Sequence, residues 1–337
     1  MALSFIGLAV LGALIVVTGV RLATCADVLA ERTGLGQAFM GAVFLGATTS
    51  LPGITASVAA AGGGRPDMAL SNALGGIAVQ TLFIVVADLV HRESNLEHAA
   101  ANESVLVQSA LLLVLLALLL AACLGPEISL GPIHPATLLL PLAYALGLRS
   151  VRASHVYPMW QPRATGMGRV RQVAPGHRAA AQSNAALWSQ LAVAGTAAVF
   201  AGWGLTRVAQ QLADHYQLPE SVAGGLITGV VTSFPELVIA VAAVRNGALT
   251  LAVAGVVGGN AFDTLFAALS DAAYLSGSIY HRASPQTLFL LTLALLMNAV
   301  LLLGLLRRQS RGLANIGFEG VLVIALYALG VLSLVAA

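Results

Sequence analysis

Charge is what this chain has least of. Only 9% of its 337 residues are Asp, Glu, Lys or Arg, where a soluble globular domain carries about 25%, so a water-facing surface cannot be assembled from it. There is no lysine; all 16 basic residues are arginines. A net charge of +2 gives no purchase on a nucleic acid or another polyanion. Cysteine is nearly absent too. Cys25 and Cys123 fall near the ends of separate apolar runs, lack metal-ligand spacing and read as packing residues. Also missing are His-Glu-x-x-His, a paired-aspartate motif for prenyl diphosphates and Gly-x-Ser-x-Gly, which leaves an intramembrane enzyme without its metal or nucleophile. These absences exclude a cytosolic enzyme, a nucleic-acid binder and a disordered protein. No resident cofactor is expected.

What is present is apolar: 58% of the residues are hydrophobic. A membrane-crossing helix takes roughly 20 mainly apolar residues. That ruler marks ten spans, at about 3–24, 35–61, 68–90, 104–124, 129–149, 186–209, 219–244, 248–273, 285–306 and 315–336. The first run has no arginine before it and no small-residue cleavage site, so it reads as a membrane helix and not a signal peptide. Between the fifth and sixth spans lies a polar segment, 150–185, flanked by Arg149 and carrying Arg152, Arg163, Arg169, Arg171 and Arg178. Arginines collect on the cytoplasmic side. Placing this loop inside puts 13 of the 16 arginines inside, leaving Arg65, Arg207 and Arg282 outside, with both termini outside. The expectation is a multi-pass protein of the inner (plasma) membrane, its partners the lipid bilayer and small inorganic solutes. The oligomeric state is left open, with a monomer sufficient.

Five spans on either side of the loop suggest an internal duplication. At an offset of 183 residues the halves align without gaps, and between Gly41 and Phe83, 16 of 43 positions are identical to their counterparts. Thr49-Ser50-Leu51-Pro52 falls on Thr232-Ser233-Phe234-Pro235, Gly75-Gly76 on Gly258-Gly259, and Thr81-Leu82-Phe83 on Thr264-Leu265-Phe266. Glycines, prolines and hydroxyls coincide as well as aliphatics, which shared membrane composition does not produce. An odd number of spans per half makes the second copy enter from the opposite side. The predicted fold is all-α and integral to the membrane: ten transmembrane helices in two inverted five-helix repeats, residues 1–149 and 186–337, an architecture used by many secondary transporters.

An ionisable residue inside a membrane helix is costly and therefore a functional candidate. Glu236 and Asp263 lie deep in their spans. Asp88, Glu97, Asp214 and Glu220 fall at loops or helix edges, and Asp271 and Glu319 near helix ends, where they read as solvated charges. Glu236 follows Thr232, Ser233 and Pro235, and a proline frees the carbonyl four residues earlier. Pro52 breaks the first repeat at the equivalent place, after Thr49 and Ser50. Carbonyls, hydroxyls and carboxylates suit hard cations. Gln80, at the position equivalent to Asp263, supplies a neutral oxygen.

The paired Thr-Ser-x-Pro-Glu and Gly-Asn-x-x-Gly-Ser-Asn-x-x-Asn/Asp segments resemble the α-repeats of the calcium/cation antiporter superfamily, its sodium/calcium exchanger branch above all. The resemblance implies four ion sites near the midplane and Na⁺ or H⁺ flowing in as Ca²⁺ leaves. It implies a ligand set of Thr49, Ser50, Gln80, Thr232, Ser233, Glu236 and Asp263. Four positions depart from the pattern: the first repeat's glutamate is Gly53, the motif serine is Gly76 and Gly259, and one asparagine is Ile77. The missing carboxylate leaves a monovalent cation/proton antiporter, or a transport-inactive membrane scaffold or sensor, as alternatives to Ca²⁺ exchange. A glutamate put back at Gly53 is expected to restore the pattern and tighten Ca²⁺ binding.

Overall fold

The computed structural model describes residues 2–33, 46–91, 94–128, 133–156, 159, 182–310, 312 and 316–336, and every regular element among them is a helix. The first half comprises α1 (Ala2–Thr33), α2 (Gly46–Thr49), α3 (Leu51–Gly62), α4 (Pro66–Val90), α5 (Leu96–Ala100), α6 (Glu103–Leu124) and α7 (Ala136–Val156). The second comprises α8 (Asn184–Tyr216), α9 (Glu220–Val222), a π-helical stretch (Ala223–Thr228), α10 (Gly229–Thr232), α11 (Phe234–Arg245), α12 (Leu249–Asp263), α13 (Leu265–Ala273), a 3₁₀ turn (Tyr280–Arg282), α14 (Pro285–Arg307) and α15 (Phe318–Ala336). Among the described residues eight helical spans are long and apolar enough to cross a membrane. The second expected span is described only from Gly46 onward. Its last part, Leu51–Gly62, is apolar but short.

The duplication reaches the helix boundaries. Adding 183, the spacing of Gln80 and Asp263, to the bounds of α2, α3 and α4 gives those of α10, α11 and the α12–α13 pair to the residue. The turn between the last two is equivalent as well: Gly64 and Gly247 have φ of 77° and 78°, a left-handed conformation that glycine adopts without strain.

Some boundaries differ from expectation for local reasons. The fifth span, expected at 129–149, begins after Pro135, which cannot donate into a helix already under way, and runs to Val156 with Pro141 inside it. Arg149 and Arg152 are therefore helical, and the linker expected from 150 is shorter at that end; Arg163, Arg169, Arg171 and Arg178 lie outside the described residues. The eighth span breaks at Thr264, between α12 and α13.

Helix α4 is apolar all round and buried on nearly every face, which places it at the centre of the bundle. It packs against α3, α10, α11, α12, α13, α14 and α15. The approach of the second repeat is set by glycine. A Cβ on Gly75 would overlap the backbone of Gly225, so α4 and the π-helical stretch touch main chain to main chain, the close crossing that small residues permit between membrane helices. Helices α1 and α8 pack together at the periphery and present Phe5, Val10, Val17, Val193 and Phe200 outward, as suits lipid.

Candidate functional site

The two proline breaks meet beside α4. In each repeat a short helix ends at a threonine, a serine takes up a φ, ψ near −80°, −1° (Ser50) or −91°, −5° (Ser233), and the next helix starts with proline in its first turn. Pro235 cannot give the carbonyl of Val231 its helical N–H, and that carbonyl accepts a backbone N–H at the cap instead. The serine and threonine of each break then face the other repeat.

Every predicted site residue is brought to this place. Ser50 Oγ donates to Asp263 Oδ1 at 2.7 Å, and Gln80 Nε2 donates to Asp263 Oδ2 at 2.7 Å and to Ser233 Oγ at 3.1 Å. Thr49 hydrogen-bonds the Glu236 carboxylate. The first repeat thus supplies hydroxyl and amide groups and the second both carboxylates. Thr232 and Ser233 turn their protons inward to main-chain carbonyls, Thr232 to Thr228 at 2.9 Å and Ser233 to Gly229 at 2.8 Å. The Thr232 oxygen keeps its lone pairs for another partner, and Ser233 keeps the one that Gln80 does not use.

A cavity of about 10 Å³ is lined by Ser50, Gly53, Asn72, Gly76, Gln80, Thr232, Ser233, Glu236, Asp263 and Phe266. Holding one water takes roughly 10–15 Å³ measured in the same way, so this is room for a single small ion. Around it, Glu236 Oε2, Gln80 Oε1 and Asn72 Oδ1 are buried acceptors with no donor. Unpaired acceptors in a water-poor site are expensive, and a cation answers all three at once. The arrangement can therefore strip and hold one hard cation.

Two lining residues are not apparent from sequence. Asn72 is held by its Nδ2, which donates to Gly53 O at 3.1 Å and Ser57 Oγ at 2.8 Å; its place ahead of Gly75-Gly76, matching the asparagine of the repeat motif, is the signal that could have found it. Phe266 gives none. A Cβ at Gly53 would lie 2.8 Å from Phe266 Cε2 and 3.2 Å from Cζ, so this ring fills the space that a side chain equivalent to Glu236 would occupy in the first repeat.

Several acids expected to be solvated are not. Asp88, Glu97, Asp271 and Glu319 are each 1% exposed or less. Asp271 pins loops together, accepting from the N–H groups of His134 (2.9 Å) and Ile279 (2.8 Å) and from the Thr137 hydroxyl. Asp214 is exposed, as expected, and pairs with Arg65 at 2.6 Å.

Comparison with known proteins gives one consistent result. The family described as "Sodium/calcium exchanger protein" matches residues 3–147 and 186–336. The structure is similar to that of the sodium-calcium exchanger NCX_Mj soaked with Na⁺ and Sr²⁺, with a TM-score of 0.63 and 17% identity over 99% of both chains. It is similar to the H⁺/Ca²⁺ exchanger CAX with a TM-score of 0.74 and 13% identity, over 98% of this chain and 82% of that one. No curated protein matches.

Proposed function

The chain belongs to the sodium/calcium exchanger family, a family of transporters and not of enzymes, and on that premise we propose that it is a secondary active antiporter exchanging Ca²⁺ for Na⁺ or H⁺. Residues 1–149 and 186–337 form two inverted repeats of five transmembrane helices in the inner membrane. The arginine-rich segment 150–185 is cytoplasmic and both termini are outside. The cation sits between the proline breaks. Glu236 is its principal ligand, with Asp263, Gln80, Thr49, Ser50, Thr232 and Ser233 completing the shell and Asn72 added to it.

The observation that carries this reading is the ring of donorless acceptors, Glu236 Oε2, Gln80 Oε1 and Asn72 Oδ1, on a cavity sized for one ion. Asp263 now takes its hydrogen bonds from Ser50 and Gln80. An entering cation competes with both, and a half-turn of the Gln80 amide exchanges its N–H₂ for its oxygen. Because Ser50 and Gln80 belong to one repeat and Asp263 to the other, binding rewrites the contacts between the halves. That is the coupling an alternating-access transporter needs.

A second reading has its own observation. With Phe266 filling the space beside Gly53, the cavity has two carboxylates, and this favours monovalent cation/proton exchange if Asp263 stays protonated. Flux of ⁴⁵Ca²⁺ into vesicles holding the purified protein, with imposed Na⁺ or H⁺ gradients, separates the two. Gradient-driven ⁴⁵Ca²⁺ movement supports the first reading. Monovalent or proton flux without ⁴⁵Ca²⁺ movement overturns it in favour of the second.

A further inference from the structure

Asp88 and Asp271 hold equivalent positions in the two repeats, and each accepts an equivalent backbone N–H: Leu96 to Asp88 at 2.6 Å, Ile279 to Asp271 at 2.8 Å. The resemblance stops at the second oxygen. In Asp271 it is saturated by His134 and Thr137. In Asp88 it is buried without a donor. Facing Asp88 are Glu97 on α5 and Glu319 on α15, each 1% exposed, and all four of their carboxylate oxygens also lack a donor.

Glu97 and Glu319 lie within hydrogen-bond reach of each other, yet two carboxylates have no hydrogen to offer. The chain has made room for this pairing. A Cβ on Gly304 or on Gly317 would overlap the Glu319 side chain, so two glycines form the slot in which it lies. The Arg307 guanidinium lies 4.8 Å over the Phe318 ring, and Arg308 donates to the carbonyl of His98 at 3.1 Å. Among the described residues no ion pair reaches any of the three acids, and no group of three or more His, Cys, Asp and Glu is placed to hold a metal ion.

We propose that Asp88, Glu97 and Glu319 form a proton-binding site in which Glu97 and Glu319 share one proton, and that its occupancy latches α5 and the start of α15 onto the end of α4. The proton comes from water, resides on one carboxyl and is donated as O–H···O⁻ to the other. On its departure two like charges are left in contact in a buried slot, and the latch opens. Helix α4 also carries Gln80, two turns before Asp88, so the latch acts on a helix that lines the cation cavity. The charged groups that act on the pair are Asp88 from α4, on Glu97, and Arg307 from α14, on Glu319.

Glu97 lies outside the membrane-spanning helices, and its carboxyl is held well above the usual carboxylate range, by burial first and then by the charges of Asp88 and Glu319. A raised acid favours the fold in its protonated form. The latch's contribution is therefore complete below the ordinary glutamate value and is lost as pH climbs through the raised one.

Infrared spectroscopy of the full-length protein in detergent tests this through the C=O stretch of a protonated, buried carboxylic acid. Wild type should show a band that fades as pH rises while the protein stays folded. In wild-type-minus-variant difference spectra, Glu97→Gln and Glu319→Gln should each remove one and the same component of it, because one proton is shared; two independent protons would give two separate components. The thermal midpoint should fall with rising pH in wild type and flatten in both variants. Difference spectra with no such component, or with a separate component for each substitution, overturn the shared proton. An unchanged pH profile of stability in both variants overturns the latch. If neither variant folds, the wild-type titration decides: a band that does not respond to pH, or no band, rejects the site.

Discussion

Gly53 is the glycine on the cavity where a side chain would meet the Phe266 ring. Gly53→Ala adds one methyl group, whose carbon would lie 2.8 Å from Phe266 Cε2 and 3.2 Å from Cζ. Carbon atoms prefer about 3.5–4.0 Å, so the ring must move by most of an ångström. It has little freedom: Phe266 is 3% exposed and rests edge-on against Phe262, with ring centroids 6.5 Å apart. Overpacking of this kind costs about 1–3 kcal/mol. Phe266→Ala alone opens a cavity and costs about 3–5 kcal/mol. The double variant should be more stable than the sum of the two penalties by about 1–3 kcal/mol, because the added methyl then enters the vacated space. That coupling lies well above the few tenths of a kcal/mol expected between independent sites. The same contact reverses the expectation drawn from sequence for Gly53→Glu, which should lose stability and cation binding alone and recover binding only beside Phe266→Ala. Equilibrium unfolding in detergent, run as a double-mutant cycle with isothermal titration of Ca²⁺, measures both. Additive penalties, or a Gly53→Glu protein that binds more tightly without the second change, would refute the packing argument.

Other positions give sharper contrasts. Ser50→Ala removes one of the two side-chain donors to Asp263 and should cost about 1.5–3 kcal/mol, the range for a hydrogen bond to a charged group, read as a lower unfolding midpoint with ion binding altered. Asp271→Asn should lower stability by a similar amount, since its three donors are left with a poorer acceptor, but leave ion preference unchanged in a flux assay. With Glu236 and Asp263 as the two carboxylates on the cavity, a near-neutral site balances one divalent ion against two monovalent ions or protons; solid-supported-membrane electrophysiology should record no sustained current during measured Ca²⁺ flux, and a sustained current would show the charge count to be wrong.

The parts of the fold written in local chemistry are legible from the sequence. Pro52 and Pro235 each withhold a helical N–H just after a Thr-Ser pair, and the breaks stand at Ser50 and Ser233 as the repeat requires. Glu236, Asp263 and their hydroxyl neighbours can be assembled in advance because an acid deep in an apolar run is too costly to stand there without a function. What hydropathy cannot encode is docking at long range. Glu97 and Asp88 sit at the edge of a run, where pattern alone makes them solvated. They are buried because the α5 segment folds back onto the end of α14, with Asn95 Nδ2 donating to Gln309 O at 2.7 Å and Asn95 N–H to Ser310 O at 3.2 Å. Phe266 is invisible in the sequence for the same reason: an aromatic in an apolar helix announces nothing about the glycine it covers.

The central claim is that the cation is held by Glu236 between the two repeats. Uptake of ⁴⁵Ca²⁺ into vesicles, driven by an imposed Na⁺ or H⁺ gradient and compared between wild type and Glu236→Gln, tests it most directly, because the substitution keeps the shape of the side chain and removes only its charge. The account predicts uptake in wild type and background counts in the variant, with both proteins equally monodisperse and equally stable within about 1–2 kcal/mol. Uptake by Glu236→Gln at the wild-type rate would contradict it and move the ion away from the proline breaks.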